Sequence, residues 1–277
     1  MRFRKIYVEI SNLCNLNCRF CPGTKRKPGR MNAESFASLL PKLRPYSDFL
    51  YFHVMGEPLC HPQLEEFLTL AGQADFKVIL TTNGTLLAKQ QEMLLSHPAL
   101  HKVNISLHAF EANDLAVPFA QYLDDCFAFG KAAAGKKLVV YRLWNQGGED
   151  ELNDEILSRM KAHFTTPWVV EPRGTRIGQR VYLEYGEKFD WPDMDAEEGN
   201  GHLRCLGLRD QIGVLWDGTV IPCCLDHEGV LALGNLFEQN LEQILSSPRA
   251  TAIHEGFLRG EAVEPLCRRC GYAQRFK

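Results

Sequence analysis

Residues 6–22, IYVEISNLCNLNCRFCP, join an apolar strand-like run to a loop that holds three cysteines. Residues 6–10 favour extended backbone and predict a β-strand. Cys14, Cys18 and Cys21 follow in one short loop. Cysteines spaced this closely are typical of a metal or iron–sulfur centre. We therefore predict such a centre at the carboxyl end of the first strand.

The same strand-then-helix rhythm continues to about residue 171. It predicts a parallel sheet covered by helices, an α/β fold that we interpret as a partial (β/α)6 barrel. Ligands bind at the carboxyl ends of the strands in such folds. The cysteine loop, Gly56-Glu57-Pro58 and Asn83-Gly84 each follow a predicted strand, so we expect them at one edge. The predicted strands are residues 6–10, 49–54, 77–81, 102–107, 137–144 and 167–171.

The composition is that of an ordinary globular chain, with 277 residues, 45% of them hydrophobic, and a formal net charge of −3. No signal-peptide pattern opens the sequence, and no apolar run approaches about eighteen residues, so we expect a cytoplasmic protein without a membrane span. The acidic net charge argues against a nucleic-acid partner. In the cytoplasm, ten cysteines indicate metal binding or catalysis rather than disulfide bonds.

The strand–helix rhythm stops after about residue 172, and we predict two domains, residues 1–190 and 191–277. Residues 212–221 are predicted to form a β-hairpin around Asp217-Gly218, followed by short helices. The smaller domain is therefore expected to consist of a β-hairpin and helices.

Four cysteines of this second region can form one closed site. The hairpin turn is expected to bring Cys205 and Cys223 together, and Cys267 and Cys270 form a CxxC pair. Four thiolates suit either a zinc ion or a fully ligated [4Fe–4S] cluster, and their spacing does not decide between the two. Of the remaining cysteines, Cys224 is interpreted as a spare thiol, and Cys60 and Cys126 as small buried hydrophobic residues.

The first cysteine group, in contrast, is incomplete. Three thiolates leave one iron of a four-iron cluster without a protein ligand, and that iron can bind a cofactor or substrate. A zinc site that lacks one ligand, or three packed cysteines, are the alternatives.

The segment EISNLCNLNCRFCP, residues 9–22, resembles the opening motif of the radical S-adenosylmethionine (radical SAM) superfamily. The resemblance implies a [4Fe–4S] cluster on Cys14, Cys18 and Cys21, whose open iron chelates S-adenosylmethionine. Reductive cleavage of that cofactor in the family yields methionine and a 5′-deoxyadenosyl radical, which takes a hydrogen atom from the substrate.

The same resemblance implies further cofactor contacts. Gly56-Glu57 stands at the family's Gly-Gly-Glu motif, with Met55 in place of the first glycine, and its backbone is expected to receive the cofactor's amino group. Asn83 and Ser106 are expected near the ribose or carboxylate, and Phe20 near the adenine.

The segment GTVIPCCLDHEGVLALGNL, residues 218–236, resembles the start of SPASM/twitch extensions, which bind auxiliary [4Fe–4S] clusters. The resemblance favours a second cluster over zinc for the four downstream cysteines. The short, twitch-like form favours a small-molecule substrate.

Three residues are candidates for substrate chemistry. Arg142 on the fifth strand could clamp a carboxylate of the cofactor or of the substrate, because its planar guanidinium suits that geometry. His108 after the fourth strand, or Glu171 at the end of the sixth, could take a proton. The basic loop of Lys25, Arg26, Lys27 and Arg30 could attract an acidic substrate, RNA or an electron donor, although a solvated loop is the preferred interpretation.

We therefore predict a radical SAM enzyme that oxidises a small molecule such as a sugar or cyclitol. It would receive electrons from a donor such as flavodoxin or ferredoxin. Modification of a ribosomally made peptide is the alternative substrate class. A redox sensor or electron carrier is the alternative of another kind, but it would not need cofactor-like motifs at three successive strand ends.

Overall fold

The computed structural model describes residues 2–275. Five strands alternate with five helices between residues 5 and 163, and each adjacent pair of these strands is parallel. This confirms the predicted α/β class and the first five predicted strands. The strands are β1 (Lys5–Val8), β2 (Phe49–Phe52), β3 (Lys77–Thr82), β4 (Leu100–Ser106) and β5 (Leu138–Gln146), and the helices are α1 (Ala33–Leu43), α2 (Leu64–Gln73), α3 (Leu87–Ser96), α4 (Phe119–Ala133) and α5 (Asn153–His163).

The two faces of these strands differ sharply in polarity. Alternate residues such as Val8, Leu80 and Val139 are fully buried, and they form one core cluster with the apolar sides of the helices. The intervening residues point to the other side of the sheet, since successive side chains on a strand alternate in direction. We call this helix-free side the concave face; its residues include Lys5, Tyr7, Tyr51, Ile79, Lys102, Asn104, Arg142 and Glu184.

The sixth parallel strand differs from the prediction. Residues 167–171 were expected to form it, but β6 (Val169–Glu171) instead pairs antiparallel with β7 (Gly174–Gly178) at the outer edge of the sheet. The sixth parallel position, beside β5, belongs to β8 (Val181–Glu187). Burial explains the difference, because Val170 is 85% exposed whereas Val181 and Leu183 are fully buried.

The carboxyl-terminal region extends the same sheet at its other end. β9 (Gln211–Val214) lies parallel to β1, β10 (Thr219–Ile221) pairs antiparallel with β9, and β11 (Gly234–Asn235) follows. The predicted hairpin is thus confirmed, with Gly218 at φ +87° in its turn. The helices after it are α6 (Leu241–Leu245), α7 (Pro248–Arg259), α8 (Pro265–Arg268) and α9 (Gly271–Gln274).

Within residues 2–275 the strands form one open sheet, ordered β11-β10-β9-β1-β2-β3-β4-β5-β8-β7-β6. The two end strands do not pair, so the barrel is partial, as predicted. The sheet is continuous across the predicted domain boundary at residue 190, which remains a prediction. None of the helices in this part of the chain is long and apolar enough to cross a membrane.

Stability measurements test the assignment of β8, rather than β6, as the buried strand beside β5. Replacing Leu183 with Ala should lower the free energy of unfolding by about 2–5 kcal/mol, because it leaves a cavity in the core. Replacing Val170 with Ala should change it by less than about 0.5 kcal/mol, because that side chain is exposed. Urea denaturation measures both, and equal losses for the two variants would contradict the assignment of β8 as the buried strand.

Candidate active site

The loop that follows β1 is closed by its own polar contacts. Asn12 donates to Lys27 O (3.0 Å) and accepts from Gly29 N (2.8 Å). Met31 N donates to Ile10 O (2.9 Å), which returns the chain to the end of β1. The three cysteines lie on this loop, at the carboxyl edge of the sheet where the sequence predicted them.

N–H groups face all three thiols, and the backbone N–H of Gly23 is the one that bonds to Cys21. Cys18 Sγ accepts from Asn113 Nδ2 (3.1 Å), and Cys14 Sγ accepts from Leu16 N (3.5 Å). Burial raises the pKa of Cys14 to about 11 and also raises the pKa of Cys18 and Cys21. The thiols are therefore protonated until iron stabilises their thiolate forms. A set of three thiolates with N–H donors at the sulfurs fits an iron–sulfur cluster.

The loop after β2 packs backbone to backbone against the cysteine loop. Gly56 has φ +78°, and a Cβ atom there would lie 2.4 Å from Ser11 O, so only glycine fits. Glu57 N donates to Leu13 O (2.9 Å). The Glu57 carboxylate is buried and accepts from Asn83 N (2.7 Å), and burial raises its pKa to about 7. Gly56-Glu57 therefore fixes the cysteine loop against the end of β3.

Asn83 connects the end of β3 directly to the cysteine loop. Its Nδ2 donates to Asn15 Oδ1 (2.9 Å) and approaches Cys14 Sγ (3.9 Å), and its Oδ1 accepts from Thr85 N (3.0 Å). Ser106, the last residue of β4, lies opposite Arg142 on β5. The structure thus places Asn83 at the cysteines, and Ser106 farther along the same edge of the sheet.

Phe20 lies beside His108, with ring centroids 5.0 Å apart, and both line a cavity of about 60 Å³ together with Trp144 and Asn145. His108 Nδ1 lies 3.1 Å from Arg142 O, and burial lowers the pKa of His108 to about 4. His108 is therefore neutral at pH 7, and its low pKa makes it a weak proton acceptor.

Arg142 projects from β5 onto the concave face. Its guanidinium lies 4.4 Å from the Trp144 ring centroid, and its Nε is 3.4 Å from Glu184 Oε2. Glu171 does not join this group, because it belongs to the antiparallel edge hairpin and pairs there with Arg176 (2.6 Å). The expectation that Glu171 ends a sixth parallel strand is wrong.

The four downstream cysteines share one environment. Burial raises the pKa of Cys223, and the neighbouring charges of Cys205, Cys224, Cys267 and Cys270 raise it further. Burial also raises the pKa of Cys205 to about 11, and Gly207 N donates to its Sγ (3.3 Å). Across residues 2–275, no group of three or more His, Cys, Asp or Glu side chains is arranged for a single metal ion. Four neighbouring thiols suit an iron–sulfur cluster, whose irons would offset the mutual repulsion of the thiolates.

The remaining cysteines lie in three different settings. Cys126 is fully buried, as predicted. Cys60 is half-buried rather than buried, because it follows the Gly56-Glu57 loop and accepts a hydrogen bond from Asn15 N in the cysteine loop. Cys224 forms a hydrogen bond with Tyr7. The interpretation of Cys60 as a core residue is therefore wrong.

The basic loop contains one residue that is not solvated. Arg26 makes a two-pronged ion pair with the fully buried side chain of Glu9, at 2.8 and 2.6 Å. Its Nε also donates to His227 O (2.7 Å) in the carboxyl-terminal region. Sequence reasoning missed this pair, and the available signal was a carboxylate inside an otherwise apolar strand-like run. Lys25, Lys27 and Arg30 are exposed, in agreement with a solvated loop.

The Glu9–Arg26 pair gives a testable expectation. Replacing Arg26 with Ala should lower the free energy of unfolding by about 3–5 kcal/mol, because it leaves a buried carboxylate without its counter-charge. Lys25→Ala, next to it but exposed, is the matched control and should have little effect. Urea denaturation followed by circular dichroism measures both, and indistinguishable curves would show that the ion pair does not support the fold.

Comparison with known proteins agrees with this geometry. A family model described as the radical SAM superfamily matches residues 8–126, and one described as the SPASM iron–sulfur cluster-binding domain matches residues 205–271. An S-adenosyl-L-methionine-dependent 2-deoxy-scyllo-inosamine dehydrogenase of Niallia circulans is 22% identical over 276 residues, which cover 97% of this chain and 92% of that protein. A tungsten-containing aldehyde ferredoxin oxidoreductase cofactor-modifying protein of Pyrococcus furiosus is 28% identical, over 50% of this chain and 38% of that protein.

Solved structures share the fold. BtrN in complex with AdoMet and 2-DOIA has a TM-score of 0.65 at 21% identity, covering 98% of this chain and 93% of that one. Streptococcus suis SuiB bound to the precursor peptide SuiA has a TM-score of 0.62 at 15% identity, covering 99% of this chain and 71% of that one. The chain therefore contains a radical SAM domain and a SPASM iron–sulfur cluster-binding domain, and it is an iron–sulfur enzyme with S-adenosylmethionine and [4Fe–4S] clusters as cofactors, one of the clusters being auxiliary.

Proposed function

We propose that the enzyme dehydrogenates an alcohol of a small polyhydroxylated molecule, such as a sugar or cyclitol. The main support is similarity along almost the whole chain to a protein named as a 2-deoxy-scyllo-inosamine dehydrogenase. That similarity includes both the radical region and the carboxyl-terminal region of the chain.

Cys14, Cys18 and Cys21 are the residues that would hold the first cluster. With S-adenosylmethionine bound, that cluster supplies the reductive cleavage that generates a 5′-deoxyadenosyl radical. The chain itself fixes the loop on which these cysteines stand. Gly56 allows the β2 loop to contact the cysteine loop, and Asn83 bonds to Asn15 beside Cys14.

The concave face offers groups suited to hydroxyls. Asn104 Oδ1 is buried and has no hydrogen-bond partner among residues 2–275, and the same holds for Arg142 Nε. A buried polar atom without a partner costs free energy, so Asn104 Oδ1 is poised to accept a bond when substrate enters, whereas Arg142 Nε keeps only its ion pair with Glu184. Tyr7 and Tyr51 lie on the same face with ring centroids 5.2 Å apart and carry hydroxyls.

These observations support a different conclusion for each of the three candidates for substrate chemistry. Arg142 is the residue that we propose to bind and orient substrate. His108 lies against Phe20 and is neutral, so we propose that it shapes the cofactor end of the site. Glu171 is on the edge hairpin, and we assign it no role in the reaction.

Cys205, Cys223, Cys267 and Cys270 are the residues that would hold the auxiliary cluster. That cluster would supply an electron acceptor, which a net two-electron oxidation of an alcohol requires. An external protein such as flavodoxin or ferredoxin would supply the electron for cofactor cleavage. The exposed cations Lys25, Lys27 and Arg30 lie on the cysteine loop and would attract an acidic donor protein.

Product analysis tests the proposed reaction. Anaerobically reconstituted enzyme, S-adenosylmethionine and a strong reductant should form 5′-deoxyadenosine about tenfold faster with the right polyol than without it, because bound substrate completes the site. A substrate deuterated at the oxidised carbon should transfer deuterium to 5′-deoxyadenosine and become a carbonyl compound.

Two results would contradict the proposal. Acceleration by peptides but by no polyol would favour the peptide-modifying alternative. Deuterium transfer without a carbonyl product would indicate a radical reaction other than dehydrogenation. Cys18→Ala is the control, since it should abolish 5′-deoxyadenosine formation with every substrate.

The auxiliary ligands are tested by metal content. Replacing Cys267 and Cys270 with Ser should remove about half of the iron, because one of two four-iron clusters loses its ligands. Cys224→Ser is the matched control: it lies next to Cys223 but bonds to Tyr7, so iron should be unchanged. Iron and zinc analysis of the purified variants measures this, and loss of zinc with unchanged iron would refute the assignment.

A further inference from the structure

The charged side chains of the concave face are unbalanced. Within the described part of the chain, three half-buried cations point to this face, namely Lys5 on β1, Lys102 on β4 and Arg142 on β5. They are opposed by one half-buried carboxylate, Glu184 on β8. Glu9, directly after the end of β1, does not change this balance because Arg26 already neutralises it.

Glu184 is shared between two of the cations, so a single carboxylate faces two positive charges. Its Oε2 lies 3.4 Å from Arg142 Nε, and its Oε1 lies 3.9 Å from Lys102 Nζ. These are ion-pair distances, but the geometry at Arg142 Nε is not that of a hydrogen bond. One negative charge between two positive charges leaves an excess, to which Lys5 adds.

The cations also act on each other. Burial lowers the pKa of Lys102 to about 8, and the charges of Arg142, Lys5 and Arg173 contribute to the decrease. Mutual repulsion in a partly desolvated face is unfavourable, and an anion placed there would relieve it. A cationic ligand such as a protonated amine would add a charge of the same sign.

We infer that the substrate is an anionic polyol, a small hydroxylated molecule with a phosphate or carboxylate group that Lys102 and Arg142 bind. This rests on the proposed function and specifies its substrate class. Asn104 Oδ1 accepts a hydrogen bond from a hydroxyl of that molecule, whereas Arg142 can form two parallel bonds to its anionic group. Lys5, Lys102 and Arg142 thus determine specificity through charge.

Equilibrium binding tests this without turnover. Reconstituted holoenzyme with S-adenosylmethionine but no reductant is titrated calorimetrically with myo-inositol 1-phosphate, glucuronate, myo-inositol, glucosamine and inorganic phosphate. We expect at least one anionic polyol to bind about tenfold or more tightly than myo-inositol, and glucosamine to bind least. Comparison of the phosphate compound with glucuronate identifies which anionic group the site accepts.

Two substitutions on the same face should act in opposite directions. Lys102→Gln should weaken binding of the anionic polyol by about tenfold and leave myo-inositol unaffected, because it removes a cation. Glu184→Gln should strengthen anion binding, because it removes the competing carboxylate. Lys89→Gln removes an exposed lysine from α3 and is the control without effect.

The inference is overturned if neutral or cationic polyols bind as tightly as the anionic ones, or if no anion binds. It is also overturned if Lys102→Gln and Glu184→Gln shift anion affinity in the same direction, which would indicate general disruption of the face. Selective anion binding without a carbonyl product would uphold the inference and contradict the proposed dehydrogenation instead. Oxidation of a neutral polyol with no preference for anions would uphold the proposed dehydrogenation and contradict the inference of an anionic substrate.

Discussion

The structure depends on one buried carboxylate. The Glu9 side chain is fully buried and receives both arms of Arg26, together with longer contacts from Met55 N (3.3 Å) and Trp216 N (3.4 Å). Burial raises the pKa of Glu9, and Arg26 opposes that rise. The donors come from the cysteine loop, the loop after β2 and the β9–β10 turn. A single desolvated charge therefore requires three separate segments to converge on the end of β1.

Close backbone packing holds the cysteine loop in addition to the Glu9–Arg26 ion pair. Gly56 lies against Ser11 O, and a Cβ atom on Gly29 would lie 2.3 Å from the Trp216 ring. The cysteine loop is thus held between the β2 loop on one side and the carboxyl-terminal hairpin on the other. Because neither contact leaves room for a side chain, the loop has little freedom to move its cysteines. The site is positioned by the fold before any cofactor binds.

The parts of this arrangement that were predictable from sequence are those with a local signal. Strands β1 to β5 show continuous β-favouring runs, and the two cysteine groups show their spacing directly. The prediction of the sixth parallel strand failed for two reasons. Val169 and Val170 have strand propensity without burial, and β8 contains Gly and acidic residues that resemble a linker. Propensity describes the backbone, whereas position in the sheet depends on burial.

Long-range pairs had no local signal that identified both partners. Arg26 looked like one member of a solvated basic run, since its partner Glu9 lies on another element and shares no sequence pattern with it. Cys60 likewise became recognisable as a neighbour of the cysteine loop only when the chain folded. The observed site differs from the predicted one mainly in contacts between distant segments of the chain, which no sequence motif indicates.

The fold does not require polar side chains on the concave face. Parallel strands buried on both sides are usually apolar on both, but here alternate positions such as Lys102, Asn104 and Arg142 are polar. Half-buried cations and an unpartnered amide oxygen lower stability, so their presence needs another reason. Groups that are poorly satisfied in the free protein gain most when a complementary ligand arrives. The concave face is therefore built for its ligand, at some expense to the stability of the empty sheet.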